Sequence, residues 1–389
     1  FAGLIFTKIS YRIKMPDVVL YILAGVILGP NLLNWINIER YPIENQLILS
    51  FGAAYILYDG GREIDLRVIN KVKVSVGLLS IVGVLVSTII VGFFTQRILK
   101  IPLPYALLLG SVIASTDPSV LVPLFKKVRI SEKLKQTIIA ESALNDAAGA
   151  VVTFTLLGVI LGGSLSLVDS TTVFLKSVFG GLAVGLVVGY LSHLLTDESS
   201  TGIFNRFAAE LMIVAVMGAY LISEHFHFSG FMAVFVVGVI CGNKKVFNFW
   251  IPEESFQNHL RFKEVLTLLM RMMIFVLLGT HLMFENLIAN LVPVLAIVLI
   301  LIFIARPISV LLCTFPDRKA KWNWREIVYL CWVRETGVIP AALAGMLLAS
   351  KVEHAEIISS VTFATILITL TFQASTSGVL ARALKLERS

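Results

Sequence analysis

Ala114-Ser115-Thr116-Asp117-Pro118 and Glu141-Ser142-Ala143-Leu144-Asn145-Asp146 are the two stretches that decide the fold. Each lies inside a long apolar run, near 103–126 and 133–162. Runs of roughly 20 apolar residues suffice to span a bilayer as helix. An ionised carboxylate in hydrocarbon is expensive, so Asp117, Glu141 and Asp146 mark a functional site. Pro118 lacks a backbone N–H and clashes with the preceding turn, which predicts a helix break. A helix broken at Thr, Asp and Pro frees hydroxyl and carbonyl oxygens for a cation. Such discontinuous helices recur near the midplane of secondary transporters.

The rest of the chain agrees with a membrane setting. Its 389 residues are 57% hydrophobic and 15% charged, whereas soluble domains carry about 25% charged residues. The expected class is an all-α polytopic membrane protein. Thirteen apolar segments run near 1–13, 17–33, 44–59, 72–99, 103–126, 133–162, 171–195, 206–224, 227–242, 262–284, 287–313, 325–350 and 355–384. Counting residues near a segment's end with the adjoining connection, 24 of the 32 Lys and Arg residues belong to the connections after odd-numbered segments or to the C-terminal tail. Only 5 lie in the other connections, and Arg271, Arg306 and Arg334 fall inside segments. The positive-inside rule then puts the odd connections and the C-terminus in the cytoplasm and the N-terminus outside the cell membrane. The net charge of +7 is thus a record of topology, not of nucleic-acid binding. Cys241, Cys313 and Cys331 sit in apolar segments without metal-ligand spacing and read as packing residues. No phosphate-binding loop or nucleophile elbow occurs, so ATP-driven transport and hydrolytic chemistry lack support. The chain is expected not to be an enzyme and to need no cofactor beyond the ions it moves. It begins at Phe1 and stops just past an apolar segment, so both ends are expected to be cut back from a longer protein. A missing cytoplasmic regulatory domain is one expected partner.

A symmetry links the first stretch to a later one. Segment 5 is interrupted at Thr116-Asp117-Pro118, and segment 12 near Arg334-Glu335-Thr336-Gly337-Val338-Ile339-Pro340. These are the middle members of segments 4–6 and 11–13, and the odd offset sends the two triplets through the membrane in opposite senses. Matching interruptions are the sequence sign of an inverted-repeat transporter. On a helix, Asp146 shares a face with Ser142, while Glu141 turns slightly aside and Asn145 points elsewhere. Asp146, Ser142, Thr116 and Asp117 then offer the oxygen ligands that hard cations prefer. Burial favours the protonated carboxyl and a cation favours the ionised one. One carboxylate can therefore hold either a proton or a metal ion, and alternating access makes that competition an exchange. Arg334 and Arg306 are the expected counter-charges, with Glu141 or Glu335 as partners.

The two stretches resemble the signature motifs of NhaP-type sodium/proton antiporters, the branch of the cation/proton antiporter superfamily with an Asn-Asp pair. The likeness extends through Leu57-Tyr-Asp59-Gly-Gly61, Phe228-Ser-Gly-Phe-Met-Ala233, Ala305-Arg-Pro307 and Gly337-Val-Ile-Pro-Ala-Ala-Leu-Ala344, so it covers nearly the whole chain. It implies thirteen helices, two crossing broken helices and a homodimer. It also implies a six-helix transport core over 72–170 and 286–389, with scaffold and dimerisation helices over 1–71 and 171–285. Thr116, Asp117, Ser142 and Asp146 would hold Na⁺ or K⁺ or the proton, and Asp59 would reach the site at one remove. Asn145 stands where electrogenic relatives carry a second aspartate, which implies electroneutral exchange of one cation for one proton. One position departs. The family usually has Arg directly before Gly-Val-Ile-Pro, but here that residue is Thr336, with Arg334 two positions earlier. The bridge to Glu141 is then re-routed through Arg334 or lost. The expected activity is exchange of Na⁺ or Li⁺ for H⁺. K⁺/H⁺ exchange is the alternative within the class, and a proton-gated cation channel the alternative outside it.

Three further features carry more than one reading, and a fourth carries one. Glycine at Gly181, Gly185 and Gly189 allows close packing, at a dimer interface or within one protomer. His225 and His227 form either a pH or metal site or a solvated turn. Arg271 either serves the ion path or snorkels or faces a cavity. Lys126, Lys127, Arg129, Lys133 and Lys135 suit lipid headgroups.

Overall fold

The computed structural model describes residues 2–13, 17–30, 32–36, 40–69, 72–117, 125, 128, 130–162, 167–197, 203–243, 246, 253–280 and 284–387. Among them the regular elements are all helical. In chain order, apart from the short helices Leu66–Ile69 and Phe284–Ala289, they are α1 (Ala2–Ile13), α2 (Asp17–Leu28), α3 (Pro42–Arg62), α4 (Lys73–Leu99), α5 (Leu103–Val112), α6 (Glu132–Gly162) and α7 (Leu167–Thr196). Then come α8 (Ala208–His225), α9 (Gly230–Gly242), α10 (Glu253–Thr280), α11 (Leu291–Thr314), α12 (Trp324–Trp332), α13 (Val338–Ala349) and α14 (Ala355–Ala383). Each apolar segment read from the sequence carries at least one of these helices. Segment 12 carries two, α12 and α13, and segment 5 contributes α5. Helices α4, α6, α7, α8, α11 and α14 are long and apolar enough to cross a membrane, and α2, α5, α9 and α13 are shorter apolar pieces.

Local chemistry sets the ends. Lys100 takes the left-handed conformation that stops α4, with φ 54°, and Pro102 follows. Ser229 caps α9 by accepting the Met232 N–H at 3.1 Å. Asn323 and Glu326 close a capping box on α12. Pro340 falls in the first turn of α13, where no intrahelical N–H is needed. The outer faces stay apolar. Ile89 is 61% exposed and Val187 58%, which suits a surface solvated by lipid tails.

Helices α2, α3, α7, α8, α9 and α10 pack on one another, while α4, α5, α6, α11, α12 and α14 form a second neighbourhood. Helix α13 lies between them, with contacts to α3 and α14. The glycine stripe of α7 turns inward on α9. A Cβ at Gly185 would stand 2.5 Å from the Ala233 carbonyl, so this stripe packs within one protomer. Arg271 of α10 pairs with Asp17 of α2 at 3.6 Å, away from the broken helices. His225 and His227 lie exposed at the end of α8. Pro118, Lys126, Lys127 and Arg129 lie outside the described residues.

Two π turns interrupt the long helices beside α12. Leu301–Ala305 lies in α11 just before Arg306-Pro307, and Thr369–Gln373 lies in α14. Such turns release carbonyls and re-aim side chains within a helix.

Candidate cation site

Helix α5 ends at Val112, and Ala114–Asp117 leads away without helical bonds. Helix α12 ends at Trp332, and Val333–Gly337 is likewise extended before α13 begins. The two unwound stretches meet, because the Asp117 N–H donates to the Glu335 carbonyl at 2.8 Å. Each supplies what the other's helix end lacks. Helix C-termini carry unpaired carbonyls and a partial negative charge, and N-termini the reverse. The Arg334 guanidinium donates to the carbonyls of Ile113 and Ala114 at 2.5 and 3.0 Å, at the C-terminus of α5. The Asp117 carboxylate accepts the Val338 N–H at 3.3 Å, at the N-terminus of α13. Gly337 is required at this crossing. A Cβ there would overlap the Asp117 side chain.

Helix α6 holds the segment 5 break from the other side. Asn145 Oδ1 accepts the Thr116 N–H at 3.1 Å, and Asn145 Nδ2 donates to Thr116 Oγ1 at 2.9 Å. The Ser142 hydroxyl donates to the Thr116 carbonyl. One turn further, Asp146 is buried, Asp117 lies within electrostatic reach, and Ser115 is beside it. Its Oδ1 has no hydrogen-bond partner. The spacing argument turned Asn145 aside and left Ser142 open. The structure differs because an unwound peptide inside a membrane must have its N–H and C=O satisfied by protein. Asn145 and Ser142 do that for Thr116. The hydroxyls of Ser142 and Thr116 keep lone pairs for a further ligand, and Asp146 supplies the open charge.

The arginines sort differently from the expected bridge. Glu141 pairs with Arg306, whose Nη1 donates to Oε1 and whose Nη2 donates to Oε2 at 3.1 Å. Arg306 also donates to the Leu330 carbonyl at 3.0 Å, tying α11 to the end of α12. Arg334 therefore does not replace the family arginine as partner of Glu141. Its guanidinium is turned to the α5 carbonyls and to Thr336 Oγ1, at 3.2 Å. Glu335 forms no ion pair with either arginine among the described residues. Asp59 pairs with Lys263 at 2.5 Å and accepts from Thr267 at 3.0 Å, so α10 holds it rather than the ion-site residues. Neighbouring Gly60 does face Ala143 of α6. A small cavity, about one water molecule in size, opens beside the crossing, lined by Thr116, Asp117, Glu141, Ser142, Arg306 and Glu335.

Sequence reasoning missed the support from α14. Thr369, in its π turn, accepts the Thr336 N–H at 3.0 Å, and Gln373 donates to the Trp332 carbonyl at 2.7 Å. A polar pair four apart at Thr369 and Gln373 in an apolar run was the available signal.

An all-helical membrane fold with two broken helices crossing at buried carboxylates defines a secondary transporter of the inverted-repeat class. The sodium/hydrogen exchanger family, transmembrane, matches residues 1–383. The K⁺/H⁺ antiporter NhaP of Alkalimonas amylolytica is 29% identical over 99% of this chain, which spans 65% of that protein's length. Na⁺/H⁺ antiporter 1 of Methanocaldococcus jannaschii is 28% identical over 97% of this chain and 92% of its own. The solved structure of the sodium proton antiporter MjNhaP1 from that organism superposes with a TM-score of 0.85, covering 98% of this chain and 95% of that one. The chain belongs to the sodium/hydrogen exchanger family.

Proposed function

We propose that the protein exchanges Na⁺ or Li⁺ for H⁺, one for one and without net charge movement. The cation and the proton compete for Asp146, and alternating access carries whichever is bound. Asp117 is the charged partner across the break, and the oxygens of Thr116 and Ser142 complete the cation's shell. The observation that carries this reading is the buried, unpartnered Oδ1 of Asp146 beside a second carboxylate. An ionised oxygen there needs a cation or a proton. Asn145 is spent on Thr116 and its amide does not titrate, which supports electroneutrality. Na⁺ is the first choice because a relative matched over most of its own length is named a Na⁺/H⁺ antiporter. The K⁺ reading rests on the name of the Alkalimonas protein.

The same reading assigns 72–170 and 286–389 to a moving core and 1–71 and 171–285 to a scaffold that dimerises. It puts the N-terminus outside and the C-terminus in the cytoplasm, where a regulatory domain would act. Purified protein in proteoliposomes tests the mechanism. Wild type should acidify or alkalinise the lumen when a Na⁺ gradient is applied, and Asp146→Asn should abolish that signal while remaining folded. Undiminished exchange in Asp146→Asn would remove the mechanism.

A further inference from the structure

Glu335 is a buried carboxylate to which exchange at Asp146 gives no task. It is 1% exposed, and its Oε1 has no hydrogen-bond partner. Its backbone carbonyl is fixed by the Asp117 N–H, so its position at the crossing is set from both unwound stretches. The side chain lines the small cavity beside the crossing together with Thr116, Asp117, Glu141, Ser142 and Arg306. Asp146 does not line that cavity. The Thr116 backbone is fixed by α6, its carbonyl by the Ser142 hydroxyl and its N–H by Asn145 Oδ1. Asp146 and Glu335 thus each carry an unpartnered carboxylate oxygen, and Asp117 is a neighbour of both.

The charges around Glu335 can be counted by element. Asp117 comes from the break of segment 5, Glu141 from α6 and Arg306 from α11. Arg334 precedes Glu335 in the chain, and Tyr329 of α12 lies within electrostatic reach. Glu141 and Arg306 cancel in their bidentate pair. Arg334 is committed to the α5 carbonyls. Asp117, Glu141 and Glu335 set against Arg306 and Arg334 leave one negative charge in excess, a field that favours a cation. Among the described residues no three of His, Cys, Asp or Glu converge to hold a metal ion. Two carboxylates with neutral oxygens suit a weakly held monovalent ion or a proton better than a divalent one.

We propose that the Glu335 cavity is a second binding position for the transported monovalent cation or proton, one step from Asp146 on the ion's route. This position shares Thr116, Asp117 and Ser142 with the Asp146 shell, so the ion would shift between the two carboxylates along those common oxygens. This rests on the exchange reading above, and a binding measurement separates the two. Purified wild type, Asp146→Asn, Glu335→Gln and the double variant are titrated with NaCl, with choline chloride as the salt control, while thermal unfolding is followed at several pH values. A ligand that binds only the folded state raises the unfolding temperature. Asp146→Asn should lose exchange yet keep a Na⁺-dependent rise that protons suppress, and the double variant should lose that rise. Glu335→Gln alone should weaken apparent Na⁺ affinity in exchange by about tenfold and move its pH profile. Should Glu335→Gln fail to fold, Glu335→Asp, which retracts the charge by one methylene, should show the same weakening. The proposal is overturned if Asp146→Asn shows no Na⁺-specific rise, or if a folded Glu335 variant exchanges with wild-type affinity and pH profile. Retained exchange in Asp146→Asn would instead sink the Asp146 mechanism.

Discussion

Glu141 and Arg306 share two hydrogen bonds at a place where neither charge reaches water. Burying such a pair gains little net stability, but removing one partner strands the other charge. Glu141→Gln should therefore destabilise the protein by about 3–5 kcal/mol, measured as a loss of thermal stability in detergent or lipid. The double change Glu141→Gln with Arg306→Met should recover much of that loss, since no charge is left unpaired. If Glu141→Gln alone is as stable as wild type, the pair is not structural. Arg334 differs in kind. It faces carbonyls instead of a carboxylate, so it neutralises a helix end. Both arginines were visible in the sequence as charges inside apolar segments. Glu141 was among the expected partners, but which arginine takes it was not legible, because the choice depends on how α11 and α12 cross, and one residue of offset sends a guanidinium to a different face.

At the level of elements, the crossing depends on Gly337 more than on any other small residue nearby. A methyl group there would meet the Asp117 side chain, and both neighbours are held by backbone hydrogen bonds that leave little room to yield. Gly337→Ala should push Asp117 off the N-terminus of α13 and cut exchange at least tenfold. The comparison that checks it is Na⁺-driven proton flux in proteoliposomes, normalised to folded protein. Wild-type flux in Gly337→Ala would show that the crossing is loose. The broken helices were legible in the sequence because Thr-Asp-Pro and Gly-Val-Ile-Pro interrupt apolar runs at matching places. The π turns at Leu301–Ala305 and Thr369–Gln373 were not. A π turn inserts one residue without changing composition, so a periodicity spread over a whole helix hardly registers it. Yet Thr369 and Gln373 supply bonds that hold the segment 12 break open.

For the whole molecule, two helix neighbourhoods meet along α13 and α3, and the site carboxylates Asp117, Glu141, Asp146 and Glu335 sit on the side of α5, α6 and α12. The alternation of basic connections gave the segment count, because an error of one would have scrambled it. Packing partners stayed hidden, as apolar side chains facing lipid and facing protein look alike in composition. This arrangement makes a claim about charge. Under the proposed cycle Asp146 crosses the membrane carrying either one cation or one proton, so both loaded forms have the same net charge. Exchange should then run at the same rate with the membrane potential clamped at zero or set to about 100 mV, a field worth about 2.3 kcal/mol per moved charge. Measured with Na⁺, Li⁺ and K⁺ gradients in turn, the flux should favour Na⁺ and Li⁺ over K⁺. A rate that follows the potential would mean that a second ionisable group travels with Asp146, and Glu335, whose Oε1 is unpartnered, is the candidate at the crossing.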